Sequence, residues 1–117
     1  MNFIRTLQWE NIVYRPLPKS LTIKESLIDG LGLFSTENIS SGTELGTSHI
    51  SDTRFEDGYI RTPLGGFVNH SDESNCEFIK EKIFPNITQK GTRIYLKTIK
   101  DISVDEELVA KYWLYDV

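Results

Sequence analysis

Three stretches of this chain carry residue types that can do chemistry. They are Asp29-Gly30-Leu31-Gly32-Leu33-Phe34, then Gly65-Gly66-Phe67-Val68-Asn69-His70-Ser71-Asp72-Glu73-Ser74-Asn75-Cys76, then Asp105-Glu106-Glu107-Leu108-Val109-Ala110-Lys111-Tyr112. A Gly-x-Gly run lets backbone come close to a ligand, because glycine carries no Cβ. It is not a dinucleotide fingerprint, since the third glycine is absent and no helix is predicted to follow. Alone, Gly30-Leu31-Gly32 reads as a hairpin turn, and a turn can also hold a ligand. His70 and Cys76 could act as base and thiol nucleophile, but no orienting Asn or Asp stands beyond the turn. A lone histidine is more often structural. Tyr112 alone reads as an aromatic at the rim of the core. Cys76 is the one cysteine, so no disulfide within the chain is expected. Zinc would lack the partners a four-ligand site needs, which predicts a reduced, partly buried Cys76.

These residues need elements to position them. A chain of 117 residues is one domain with room for a real core. A hydrophobic share of 38% and a charged share of 26% fit an ordinary soluble protein. A net charge of −4, with scattered Lys and Arg, argues against a nucleic-acid binder. No stretch is apolar enough for a signal peptide or a membrane span, so the expected location is the cytoplasm, or a host cell for a viral protein.

Residues 1–18 read as an arm packed on the domain: Trp9, Ile12, Val13 and Tyr14 are apolar, and Pro16 and Pro18 break regular structure. Short strands follow. Leu21, Ile23 and Leu27 mark one, and Leu31 to Phe34 the next, with Asp29-Gly30 as the hairpin turn between them. Ser41-Gly42 turns into Glu44 to Ile50. Cys76, Phe78, Ile83 and Ile87 flank charged positions, and Gln89-Lys90-Gly91 then turns into a strand over Thr92 to Ile99. In that strand Ile94, Leu96 and Thr98 alternate with Arg93, Tyr95 and Lys97. Glu107 to Tyr112 is the last strand. Helix is confined to a turn or two near Val104 to Glu107 and around Gly66 to His70. The class is mainly β.

In this order and spacing, the three stretches resemble the SET domain, the fold of the main group of protein-lysine methyltransferases. The resemblance spans Leu21 to Tyr115. It implies a β-clip fold, with short strands in several small sheets and a C-terminal knot-like crossing. Residues 19–117 would form a single SET domain, with a minimal insert over Thr47 to Pro63 and no cysteine-rich tail. In these features the chain resembles small stand-alone bacterial and viral members. The family's Asn-His-Ser-x-x-Pro-Asn-Cys run is matched except that Ser74 stands at the proline.

The resemblance implies S-adenosylmethionine as cofactor and no metal. Gly30, Leu31 and Gly32 would offer main-chain groups to its amino-acid end. Asn69 would hold it by the side-chain amide, and His70 mainly by backbone groups against the adenine. Tyr112 would be the catalytic tyrosine and also touch the cofactor. Tyr59, Arg61, Ala110, Trp113 and Tyr115 are candidates for the substrate channel. Ala110 stands where many members have Phe or Tyr, and Lys111 where many have Asp; a small Ala110 leaves room for more than one methyl group. The partner implied is a lysine-containing protein or peptide, with no nucleic acid and no membrane. A second subunit's tail, in a homodimer, could complete the channel. The acidic residues Asp52, Glu56, Asp57, Asp72, Glu73 and Glu77 read as solvated loops, or as an attraction for a basic peptide. Alternatives are a non-catalytic SET-like binding module and a methyltransferase of a small-molecule amine.

Overall fold

The computed structural model describes residues 16–51, 54, 58–83 and 91–112. The predicted arm falls largely outside them. Its described end packs Leu17 against the core, and the Pro18 carbonyl accepts from the Leu21 N–H at 3.1 Å.

β1 (Leu21–Glu25) and β2 (Leu31–Ser35) form an antiparallel hairpin, with Glu25 opposite Leu31. Its turn is wider than the Asp29-Gly30 pair predicts. The Ser26 N–H donates to the Gly30 carbonyl at 2.8 Å, closing a loop over residues 26–30. The Ser26 hydroxyl organises that loop by accepting from the N–H groups of Ile28 and Asp29. Leu27 therefore lies on the loop rather than in the strand, fully exposed. Gly30, at φ +46°, supplies the left-handed residue.

β3 (Glu44–Ser51) pairs with β4 (Tyr59–Arg61) and with β7 (Gly91–Thr98). The described part of the expected insert is thus mostly strand. The β3·β7 register shifts between Glu44 and Gly46 and again between Thr47 and His49. The second shift lets neighbours Ser48 and His49 both be buried, which strict alternation forbids. β6 (Cys76–Ile83) pairs with β7 along its whole length. In β7 Ile94, Leu96 and Thr98 are buried and Arg93, Tyr95 and Lys97 are not, as the alternation predicts. On the outer face Arg93 ties the strands together, donating to Glu81 at 2.8 Å, Thr47 at 2.8 Å and Glu44 at 3.3 Å.

The helix α1 is Pro63–Phe67, displaced toward the N-terminus of its predicted place. Pro63 starts it, because proline's fixed φ suits a first helical turn. The Thr62 hydroxyl, instead of capping it, donates to the Thr47 carbonyl of β3 at 2.7 Å. The second predicted helix, near Val104 to Glu107, is a reverse turn with Asp105 at φ 65°. Ser35 holds that turn: its carbonyl accepts from Asp105 N–H and its hydroxyl from Glu106 N–H, both at 3.0 Å.

β8 (Glu107–Ala110) is the keystone. Its first residues pair antiparallel with β2, and its last run parallel to β5 (Asn69–His70) and touch the start of β6. The strand order is β1-β2-β8-β6-β7-β3-β4, with β5 beside β8. The architecture is predominantly β with minimal helix. Leu33, Ile94, Leu96, Ile102 and Leu108 are fully buried around this centre. Among the described residues no buried side-chain nitrogen or oxygen lacks a partner.

Candidate active site

β8 is clasped by the turn that follows α1. Val109 lies opposite Asn69, and Ala110 opposite both His70 and Cys76. The Ala110 carbonyl accepts from Ser71 N–H and that of Val109 from Asn75 N–H, each at 3.2 Å. Asn75 completes the clasp: its Oδ1 accepts from Val109 N–H at 2.9 Å, and its Nδ2 donates to the Glu107 carbonyl at 2.9 Å and Glu106 Oε2 at 3.1 Å. Asn75 is therefore a strand clamp, and Ser74 in the proline position leaves that clamp intact.

The strand ladder ends at Ala110, short of the predicted Tyr112, because the next backbone donor finds a side chain. Tyr112 N–H donates to His70 Nδ1 at 2.9 Å. A nitrogen that accepts carries no proton, so neutral His70 holds its proton on Nε2, which faces Asp72 Oδ1 at 3.4 Å. The rings of His70 and Tyr112 meet edge-on, 5.1 Å between centroids. The Tyr112 hydroxyl donates to the Val68 carbonyl. One residue of the Asn-His-Ser turn thus holds the backbone of Tyr112, and a neighbouring residue holds its phenol.

The third piece meets β8 from the other side. The two protons of Asn69 Nδ2 are shared among four acceptors: Glu107 Oε2 at 2.9 Å, Ser26 Oγ at 3.0 Å, the Asp29 carbonyl at 3.1 Å and the Leu31 carbonyl at 3.3 Å. Ser26 Oγ donates to both Glu107 carboxylate oxygens at 2.9 Å. The two glycines of the hairpin have different reasons. Gly30 has the positive φ and open space beside it, whereas a Cβ on Gly32 would collide with the Glu107 carboxylate. Gly32 makes room for a protein group, and the glycine hairpin, Asn69 and β8 become one polar cluster.

The remaining candidates divide. Ala110 is fully buried. Cys76 is more buried than expected, with no exposed surface. Burial pushes its thiol up to about 12, with a smaller push from the Glu106 charge. Tyr59 is half-buried and Arg61 exposed on β4. A path of ring contacts leads from Tyr59 to Tyr112: Tyr59 lies 6.0 Å from His49, which lies 5.4 Å from Phe78, itself 6.2 Å from Tyr112. Trp113, Tyr115, Asp52, Glu56 and Asp57 lie outside the described residues. Asp72, Glu73 and Glu77 are exposed. Sequence reasoning missed Ser26, Glu107 and the buried His49. A serine just before Gly-x-Gly and the acidic pair before the last strand were the available signals for the first two; nothing local marked His49. No group of three or more potential metal ligands occurs among the described residues.

The SET domain profile matches residues 47–113. Among solved structures, the fold is similar to a Plasmodium falciparum protein assigned as a histone methyltransferase (TM-score 0.61, 24% identity, 81% of this chain and 94% of that one). It is also similar to the methyltransferase domain of human PR domain-containing protein 2 (TM-score 0.56, 20% identity, 86% and 82%). A third is a humanized mutant of Chaetomium thermophilum Polycomb Repressive Complex 2 bound to an inhibitor (TM-score 0.57, 21% identity, 81% and 15%). At these identities the likeness is one of fold, and in the last case the chain spans a small part of the matched chain. No curated protein sequence matches.

Proposed function

The chain belongs to the SET domain family, and from that premise we propose that it is an S-adenosylmethionine-dependent N-methyltransferase acting on lysine side chains of a protein or peptide. The family generally uses this cofactor. The observation that carries the reading is the meeting on β8 of the glycine hairpin, Asn69 and Tyr112, three pieces widely separated in sequence.

The residues present fit the cofactor's amino-acid end. With Nδ2 committed inward, Asn69 turns Oδ1, an acceptor, away from the cluster, which suits a cationic amine. Gly30, Leu31 and Gly32 would offer main-chain groups to the same end. When bound, the cofactor supplies an activated methyl group on a sulfonium. A lysine amine with pKa of about 10.4 is neutral in roughly one molecule in a few thousand at pH 7. Exclusion of water and a nearby positive charge shift that equilibrium toward the neutral amine. Tyr112, with its backbone tied to His70 and its phenol to Val68, serves as a rigid orienting and electrostatic group rather than a base. A phenol of pKa near 10 is a poor base at neutral pH.

β4 closes one end of the strand path, and an extended peptide would add there. Tyr59, Arg61 and Ala110 are kept as channel candidates, as are Trp113 and Tyr115. The likeness to small bacterial and viral members is part of the same proposal. The test is incubation with methyl-labelled cofactor and cell lysate, then mass spectrometry of labelled proteins. Label on lysine supports the reading. Absence of cofactor binding by calorimetry at millimolar concentration would replace it with a binding module, and label found only on small amines with a small-molecule enzyme.

A further inference from the structure

We propose that Glu107 and Ser26 are positioning residues which set the polarity of the Asn69 amide and thereby make the site select a ligand that bears an amine. This deepens the cofactor reading above and rests on it. The argument is one of forced donors and acceptors. The Glu107 carboxylate can only accept. It receives the Ser26 proton on both oxygens at 2.9 Å, so the Ser26 oxygen is left as an acceptor. That oxygen offers its two acceptor sites to the three donors around it, the N–H groups of Ile28 at 2.9 Å and Asp29 at 3.3 Å and the amide of Asn69 at 3.0 Å. Glu107 Oε2 and the carbonyls of Asp29 and Leu31 are acceptors too.

Asn69 is therefore held in a ring of four acceptors, and only its NH₂ end can face them. A reversed amide would set Oδ1 against a carboxylate and two carbonyls, an arrangement that leaves acceptors facing one another. The Oδ1 end is the one left for a ligand, and the carboxylate behind the amide adds a negative field at that end. Gly32 is part of the device, since any Cβ there would displace the carboxylate. The consequence is selectivity: the site prefers a ligand with an ammonium group over the same ligand without it.

The test compares S-adenosylhomocysteine with its desamino analogue by calorimetry, in the wild-type chain, Glu107→Gln and Ser26→Ala. The wild type should prefer the amine-bearing ligand by at least about tenfold, as sites built around a hydrogen-bonded amine do. Glu107→Gln should lose most of that preference while its affinity for the desamino analogue stays within about threefold. Ser26→Ala should move the same way by less. Equal weakening of both ligands, or an unchanged preference, overturns the proposal. If Glu107→Gln fails to fold by circular dichroism, Ser26→Ala decides the matter by the same two outcomes. Wild-type binding of both ligands without preference overturns this proposal alone. Wild-type binding of neither overturns the cofactor reading, and this proposal with it.

Discussion

The backbone N–H of Tyr112 is held by the imidazole of His70, at 2.9 Å from Nδ1. A residue whose type suggests acid–base chemistry acts here through a structural hydrogen bond. It turns the chain out of the β8 ladder and sets the tyrosine ring against its own at 5.1 Å. A charged imidazole has protons on both nitrogens and could not make this bond, so the arrangement requires the neutral ring.

His70→Ala should therefore cost about 1 kcal/mol of stability, the usual worth of one such bond. Its effect on methyl transfer should be larger, at least about tenfold in kcat, because the misplaced group is the orienting one. Thermal melting and steady-state kinetics on the same preparation separate the two effects. A loss of stability with kcat unchanged would refute the positioning role.

Tyr112→Phe removes the hydroxyl that donates to the Val68 carbonyl and keeps the ring against Phe78. The melting temperature should fall little, and cofactor affinity should stay within about threefold. Methyl transfer should drop by about a hundredfold or more. Full activity in this variant would sink the role given to Tyr112.

The two hairpin glycines should respond differently to alanine. Gly32→Ala pushes the Glu107 carboxylate off its hydrogen bonds from Ser26 and Asn69 and should cost about 1–3 kcal/mol, the penalty for leaving such part-buried partners unsatisfied. Gly30→Ala meets open space, so its cost is the left-handed backbone alone, about 1 kcal/mol. Urea unfolding of both variants checks the order; a costlier Gly30→Ala would contradict it.

Cys76 should resist alkylation in the folded chain at pH 8, because burial keeps its thiol protonated up to about 12. The stability linkage has a definite sign. The unfolded thiol loses its proton near its ordinary 9.0 while the folded one keeps it. Stability contributed by this group is whole below pH 9 and declines as pH rises from about 9 to about 12. Thiol labelling against pH, with and without denaturant, measures this. Rapid labelling of the native chain at pH 8 would show that the burial argument fails.

Much of the fold was legible in local pattern. The alternation in β7 is visible in residues 92–98, since one face of that strand meets the core and the other meets solvent. Ser41-Gly42 and Asp29-Gly30 mark their turns by type, although the second turn proved wider. What failed was local inference where distant partners decide. Ser48 and His49 are both buried because β3 bulges against β7. Asp105 takes a positive φ without glycine because Ser35, far away in sequence, accepts the turn's N–H groups.

The sequence by itself determined the residue types, their order and the turns that separate them, which are local properties of side-chain size, periodicity and backbone preference. Their resemblance to the SET domain then brought Gly30, Gly32, Asn69, His70 and Tyr112 forward together. Only the tertiary structure decided how they share work. It set the Glu107 carboxylate in the space left by Gly32, turned the amide of Asn69 by four acceptors from separate segments, and gave the ring of His70 to the backbone of Tyr112. The physical reason is that hydrogen-bond polarity depends on which donors and acceptors meet in space, and no spacing along a chain records that.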